Sequence, residues 1–537
     1  MSLGDVFVGI DVGTGSARAG VFDGAGILLA AAKRDIKLFR DGPHIAEQSS
    51  DDIWSCVCEA TREAVAQSGV SPDAVKGLGF DATCSLVVLD SDGAPLSISA
   101  SGEAARNIIV WMDHRATDQA ARINQGGHAV LEYVGGTISP EMETPKLLWL
   151  KENMPVTFES AADFFDLTDY LTWRSTGDNS RSMCTVTCKW TYLAHEDRWD
   201  ASYFKDIGLD ELTQDDFAKI GTKIVAPGTA LGNGLTGQAA ADLGLTEGTP
   251  VAAGLIDAHA GGVGTIGAAG GAPSSRIAYV FGTSACTMSS SEAKALVPGV
   301  WGPYFSAMVP GLWLNEGGQS AAGEAIAHLL TLHPNHLEFK AKAEAAGQSL
   351  PDYLLAHLES NLGSASEALA LVNQLVVVPD FLGNRAPLAD PNARAIVSGF
   401  DLSADFESLV ALYVAGLFGL GYGLRQILDV QRAHGVCPDT VVISGGAGEH
   451  PIVKQLLADA AGIRFAGPGS SEPVLLGSAI LGAVGGGAFA SIEAGMAGMS
   501  RLGEMFEPAK GEIASAHSKR FDVFKALQSA ARLLREN

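Results

Sequence analysis

The 537-residue sequence predicts an α/β protein made of two similar domains facing each other over a shared cleft. Three observations predict it. An apolar run at 6–10 ends in Asp11 and a Gly-Thr-Gly turn. A second, at 277–281, ends in Gly282-Thr283-Ser284. A third, at 441–443, ends in Ser444-Gly445-Gly446-Ala447. Each puts a tight turn of small residues straight after a strand, and the first two look like one device used twice.

The elements follow in order. After the first strand and its turn, residues 19–22 read as a second strand and 27–31 as a third, with hairpin signals between them. Apolar spacing over 51–68 predicts a helix, with Ser50 or Asp51 as its N-cap. Strands are expected at 75–80 and 86–89. The glycine-rich stretch 250–271 is the expected crossover between domains. A helix is expected at 451–461, and residues 501–537 read as a charged tail ending in an amphipathic helix at 518–535. The organisation predicted is residues 1–265, residues 266–500 and that tail. Two uncharged runs, 408–424 and 474–490, fall just short of about 18 apolar residues. Their Gly and Ala content reads as buried helices packed through small residues.

Composition excludes several functions. Basic residues number 36 and acidic residues 61, a net charge of −25. That balance disfavours nucleic acid or an anionic membrane, which need a basic face. It leaves room for a phosphate ligand, because backbone N–H groups can bind an anion inside an acidic protein. Seven cysteines without a CxxC pair read as free thiols. The first residues lack a basic-then-apolar signal pattern, so the expected location is cytoplasmic.

The turns carry the chemistry. In Asp11-Val12-Gly13-Thr14-Gly15-Ser16-Ala17-Arg18, the glycines let backbone N–H groups approach an anion, and two hydroxyls add donors. Asp11 cannot hold a phosphate but can hold a magnesium ion. The pattern is neither a Walker loop nor a dinucleotide fingerprint, because it lacks GxxxxGK and a third glycine, and a strand follows it. Gly282–Ser284 suits a second phosphate contact, and Gly445-Gly446-Ala447 suits a ring or sugar. Asp257, flanked by small residues, can accept the proton of a hydroxyl attacking phosphorus, and can also cap a helix. His259 reads as a packed histidine.

Together, in this order, these features resemble the FGGY family of carbohydrate kinases, from residue 6 to about 490. Phe381-Leu382-Gly383-Asn384-Arg385-Ala386-Pro387 looks like a signature of its second domain. The resemblance implies two ribonuclease-H-like domains of the actin and hexokinase type, with ATP and Mg²⁺ as cofactors. It implies Asp257 as the general base and Asp11 with Asp257 near the metal. Gly13, Thr14, Gly15, Ser16, Arg18, Gly282, Thr283, Ser284, Gly323, Gly445, Gly446 and Ala447 are the nucleotide contacts it implies.

The same resemblance points to a sugar. The stretch Thr83-Cys84-Ser85-Leu86-Val87 is similar to that of D-ribulose kinases, and Thr83-Cys84 replaces the Arg-Glu pair of glycerol kinases. Trp111, Asp113, Glu141 and Lys189 fall at the family's sugar-contacting places beside Asp257. Alternating acceptors and donors suit adjacent hydroxyls, and Cys84 reads as packing, not as a nucleophile. The expected reaction is phosphorylation of D-ribulose to D-ribulose 5-phosphate. Ribitol, L-ribulose and D-xylulose remain as alternative substrates, and a non-catalytic sugar sensor or an actin-like ATPase as alternative classes. A homodimer is a family-level expectation.

Overall fold

The computed structural model describes residues 4–268 and 271–535. Two sheets organise it. The first takes β1 (Val6–Val12), β2 (Ser16–Asp23), β3 (Leu28–Asp35), β4 (Val75–Ala82) and β5 (Val251–Ile256), in the spatial order β5-β4-β1-β2-β3. β1, β2 and β3 form an antiparallel meander, and β4 and β5 join parallel to β1. The second sheet takes β6 (Arg276–Phe281), β7 (Ala285–Ser291), β8 (Trp301–Phe305), β9 (Trp313–Gln319), β10 (Thr440–Ser444), β11 (Arg464–Pro468) and β12 (Leu502–Phe506). Its order is β8-β9-β7-β6-β10-β11-β12. Five of these strands, β9-β7-β6-β10-β11, repeat the order and directions of the first sheet. The duplication suspected from the turns is therefore a duplication of topology. A smaller sheet of Glu47–Gln48, Ile108–Ile109, Leu86–Leu89 and Asp163–Asp166 extends the first domain.

The expected helices form with shifted ends. The first covers Ser50–Ser68, and its cap is Ser49, whose hydroxyl accepts the Asp52 N–H at 3.3 Å. The 408–424 run lies inside the Phe406–Ala433 helix, where it is buried, although that helix is long and apolar enough to cross a membrane. Pro451–Ala461 forms as read, whereas the last helix starts at Gly511.

The structure crosses the expected domain borders twice. The Pro473–Gly485 helix, late in the chain, packs on β1 and β4 of the first sheet and on the Asp257–Ile266 helix. The reason is close approach. A Cβ on Gly9 would lie 1.9 Å from the Leu475 carbonyl oxygen, and one on Gly79 1.9 Å from that of Ser478. Between the two helices, a Cβ on Gly477 would lie 1.9 Å from the Ala260 oxygen, and one on Gly264 1.9 Å from the Pro473 oxygen. Glycine at these places lets backbones touch, so the two helices fill the layer between the sheets. The charged tail also differs from the reading: β12 pairs with β11, so the tail begins as an edge strand of the second sheet. Residues 269–270 of the expected crossover and 536–537 of the tail lie outside the described residues.

Candidate active site

Three carboxylates gather where the parallel strands of the first sheet end. Asp11 on β1 stands in register with Asp81 on β4, Asp81 with Leu255 on β5, and Asp257 opens the next helix. Asp81 is fully buried; the Ser478 hydroxyl donates to its Oδ2, while Oδ1 has no hydrogen-bond partner. Burial, then the charge of Asp11, raises Asp81 well above the carboxylate range. Asp257 is half-buried, and burial followed by Asp11 pushes it up to about 6. Its Oδ1 accepts the Ala258 N–H at 2.7 Å. Arg18 grips Asp11 through NH2 at 2.5 Å and reaches Glu472 at 3.1 Å. In this state Arg18, expected at the nucleotide, is held by two carboxylates.

The two hairpin turns share one geometry. The Gly13 N–H donates to the Ser16 carbonyl at 3.0 Å, and the Gly282 N–H to that of Ser284 at 2.9 Å. Gln48 holds the Thr14 carbonyl at 2.8 Å, and the Trp111 indole N–H donates to the Thr14 hydroxyl at 2.9 Å. Trp111 therefore braces the first turn. At the third turn Gly445 has φ of 95° and lies against Phe281, where a Cβ would come within 2.6 Å of a carbonyl oxygen. Gly446 and Ala447 continue it as a short 3-10 turn, with open space beside Gly446. Gly323 departs from expectation: its N–H donates to the Gly282 carbonyl at 2.9 Å, so it fastens a helix start to the second hairpin and has no proton left for a nucleotide.

Near the Asp257 carboxylate lies a cluster of charged groups. His259 is buried, with Nδ1 3.0 Å from Cys184 Sγ and Nε2 2.9 Å from Glu316 Oε1. Although burial opposes its charge, Cys184 and Glu316 raise His259 to about 10. Glu316 comes from β9 of the second sheet, so this pair bridges the two halves. Lys189 is nearly buried, with Nζ 5.4 Å from the Trp301 ring centre. Burial works against its charge, but the carboxylates of Glu316 and Glu141 around it hold it protonated. Glu141 lies 3.5 Å from His114 Nε2. Among the described residues, the trio whose ligand atoms lie within 4.8 Å of one another is Cys188, His259 and Glu316, not a set containing Asp11 or Asp257.

Asp113 is placed elsewhere than the sugar expectation requires. It is fully buried, and both oxygens are occupied by Arg115 and by the backbone N–H groups of Ala46 and Arg115. It holds its loop and presents no free acceptor. Thr83 is tied by its N–H to the Val12 carbonyl at 3.0 Å, and its hydroxyl pairs with Ser85. Cys84 is buried, and burial pushes its thiol up to about 12, which leaves it inert. Sequence reading missed Glu316 and Asp81. Their only sequence signal is an acidic residue amid apolar and glycine neighbours in a strand.

A duplicated domain with strand-end turns around a carboxylate cluster defines a class: phosphotransferases that close two lobes over a nucleotide and an acceptor. Family models for the N-terminal and C-terminal domains of the FGGY carbohydrate kinases match residues 6–264 and 277–486. The chain belongs to the FGGY family of carbohydrate kinases and is an ATP-dependent sugar kinase. It is 46% identical to the human FGGY carbohydrate kinase domain-containing protein over 531 residues, covering 97% of this chain and 96% of that protein. It is 38% identical to the D-ribulokinase YDR109C of Saccharomyces cerevisiae over 513 residues, covering 89% and 71%. The xylulose kinase of Rhodospirillum rubrum superposes with a TM-score of 0.80 at 22% identity, over 99% of this chain and all of that one. The fold is thus the two-domain, ribonuclease-H-like kinase fold.

Proposed function

We propose that the protein phosphorylates D-ribulose to D-ribulose 5-phosphate, with Asp257 as general base. The observation that carries the mechanism is the placement of Asp257: a half-buried carboxylate that feels both Asp11, beside the first glycine turn, and Lys189, which Glu141 and Glu316 surround. The similarity to the yeast D-ribulokinase supports the sugar. Asp257 orients the terminal hydroxyl and takes its proton as the oxygen attacks phosphorus. Lys189 donates to sugar oxygens while Glu141 and Glu316 accept from hydroxyls, so a substrate lacking one hydroxyl leaves a buried charge unpaired. The hairpins at 13–16 and 282–284 hold the phosphates, and 445–447 meet the nucleoside. Closing the lobes excludes water and suppresses ATP hydrolysis.

Magnesium fits the carboxylates. Asp257 is raised by burial and then by the charge of Asp11, a crowding that a hard divalent cation relieves. Asp11 and Asp257 would hold it, through waters, and it would neutralise the ATP phosphates. Seven free cysteines, four of them buried, support placing the enzyme in a reducing cytoplasm.

The substrate test compares kcat/KM for D-ribulose, L-ribulose, D-xylulose and ribitol. D-ribulose is expected to rank first, and another sugar above it overturns the choice. The base test is a pH profile. A base works deprotonated, so kcat/KM is expected to fall as pH drops through about 6, where Asp257 takes up its proton. A flat profile down to pH 5 contradicts the assignment.

A further inference from the structure

The 381–387 motif, which contains one arginine, has no part in the mechanism so far. Arg385 is half-buried in the second domain. Its NH1 lies 3.5 Å from Cys286 Sγ, and its Cζ stands 6.0 Å from the centre of the Trp301 ring that Lys189 also faces. Among the described residues no carboxylate lies within 4.0 Å of it. Its loop is rigid: Asn384 exchanges backbone hydrogen bonds with Asp390 at 2.9 Å and pins Asp380 and the Leu388 N–H with its side chain at 3.1 Å. The fold thus holds out a cation without a neutralising partner.

The surrounding acids do not account for it. Glu141 and Glu316 feel its charge, but each already has a histidine, at 3.5 and 2.9 Å. A pentulose is uncharged and needs no second cation beyond Lys189. The anion that enters this cleft is the ATP phosphate tail. Cys286, which Arg385 touches, stands two residues past the Gly282–Ser284 turn and lies within the field of Asp257. Arg385 therefore stands against the strand that leaves the Gly282–Ser284 turn. Arg18, the other arginine near the phosphates, is held by Asp11 and Glu472.

We propose that Arg385 is a catalytic residue that binds the transferring phosphoryl group. Its fork donates to the equatorial oxygens while the bond to the leaving β-phosphate oxygen breaks and the bond to the sugar's terminal oxygen forms. The hydroxyl proton goes to Asp257, and the proposal rests on that reading of the site. Charge held in place before the reaction acts most strongly in the transition state, so the loss falls on kcat.

The test compares Arg385→Gln and Arg385→Lys with wild type, using ATP and the best sugar of the panel. Arg385→Gln is expected to lower kcat about 100-fold with sugar KM changed less than about threefold. It is also expected to lose the extra thermal stabilisation that aluminium fluoride gives the wild-type complex with MgADP and sugar. Arg385→Lys keeps the charge without the fork and is expected to recover part of kcat. The proposal is overturned if kcat stays within threefold of wild type, if the whole loss appears in sugar KM, or if the aluminium fluoride effect persists. A lysine variant no more active than the glutamine variant also overturns it, because the loss is then one of packing. A dead Asp257→Asn beside normal Arg385 variants sinks this proposal and spares the base; an active Asp257→Asn sinks the base.

Discussion

Asp257→Asn is expected to lower kcat about 1000-fold while leaving ATP affinity within about twofold. The amide keeps the shape of the carboxylate and its acceptor oxygen toward the Ala258 N–H, at 2.7 Å in the native protein. What it loses is the ability to take the proton of the attacking hydroxyl. Removing one negative charge from the cluster with Asp11 and Asp81 also relieves repulsion, so the variant folds at least as well as the native chain. Loss of activity with an unchanged or raised unfolding midpoint is therefore the expected pair of results. Steady-state kinetics and a thermal melt with a nonhydrolysable ATP analogue measure both, and near-normal turnover removes Asp257 from the base role.

The second large effect is structural. Gly477→Ala is expected to destabilise the protein by about 3 kcal/mol and lower its melting midpoint by roughly 3–5 °C. The added methyl would stand 1.9 Å from the Ala260 carbonyl oxygen, and backbone cannot step aside as a flexible side chain can. The shift moves the Pro473–Gly485 helix off the Asp257–Ile266 helix, whose first residue is the proposed base, so kcat is expected to fall as well. Gly446→Ala is the control: its methyl meets nothing within 4 Å, so the midpoint stays within about 0.5 kcal/mol of native stability. Equal midpoints for the two variants would refute the packing account.

Much of this was legible in the sequence because the informative features are local. A strand that ends in Gly-Thr-Gly or Gly-Thr-Ser declares its turn within six residues, and both hairpins form where they were read. Asp257 was legible as a candidate because small residues flank it. Asp81 and Glu316 were not, because their roles arise from register: Asp81 matters by standing opposite Asp11, and Glu316 by reaching His259 from another sheet. Asp113 misled because a carboxylate in a loop looks the same whether it faces a sugar or its own Arg115. The Pro473–Gly485 helix misled for a related reason: its apolar residues run all round it and do not announce which sheet they cover.

That helix also orders events during synthesis. β1 to β5 leave the ribosome some two hundred residues before the segment that covers their inner face. Small domains usually finish folding in N-to-C order. Here the first lobe must wait, half-clad, until the second is almost fully made. The nascent enzyme therefore exposes an apolar sheet while some two hundred further residues are made, and its two lobes mature as one unit.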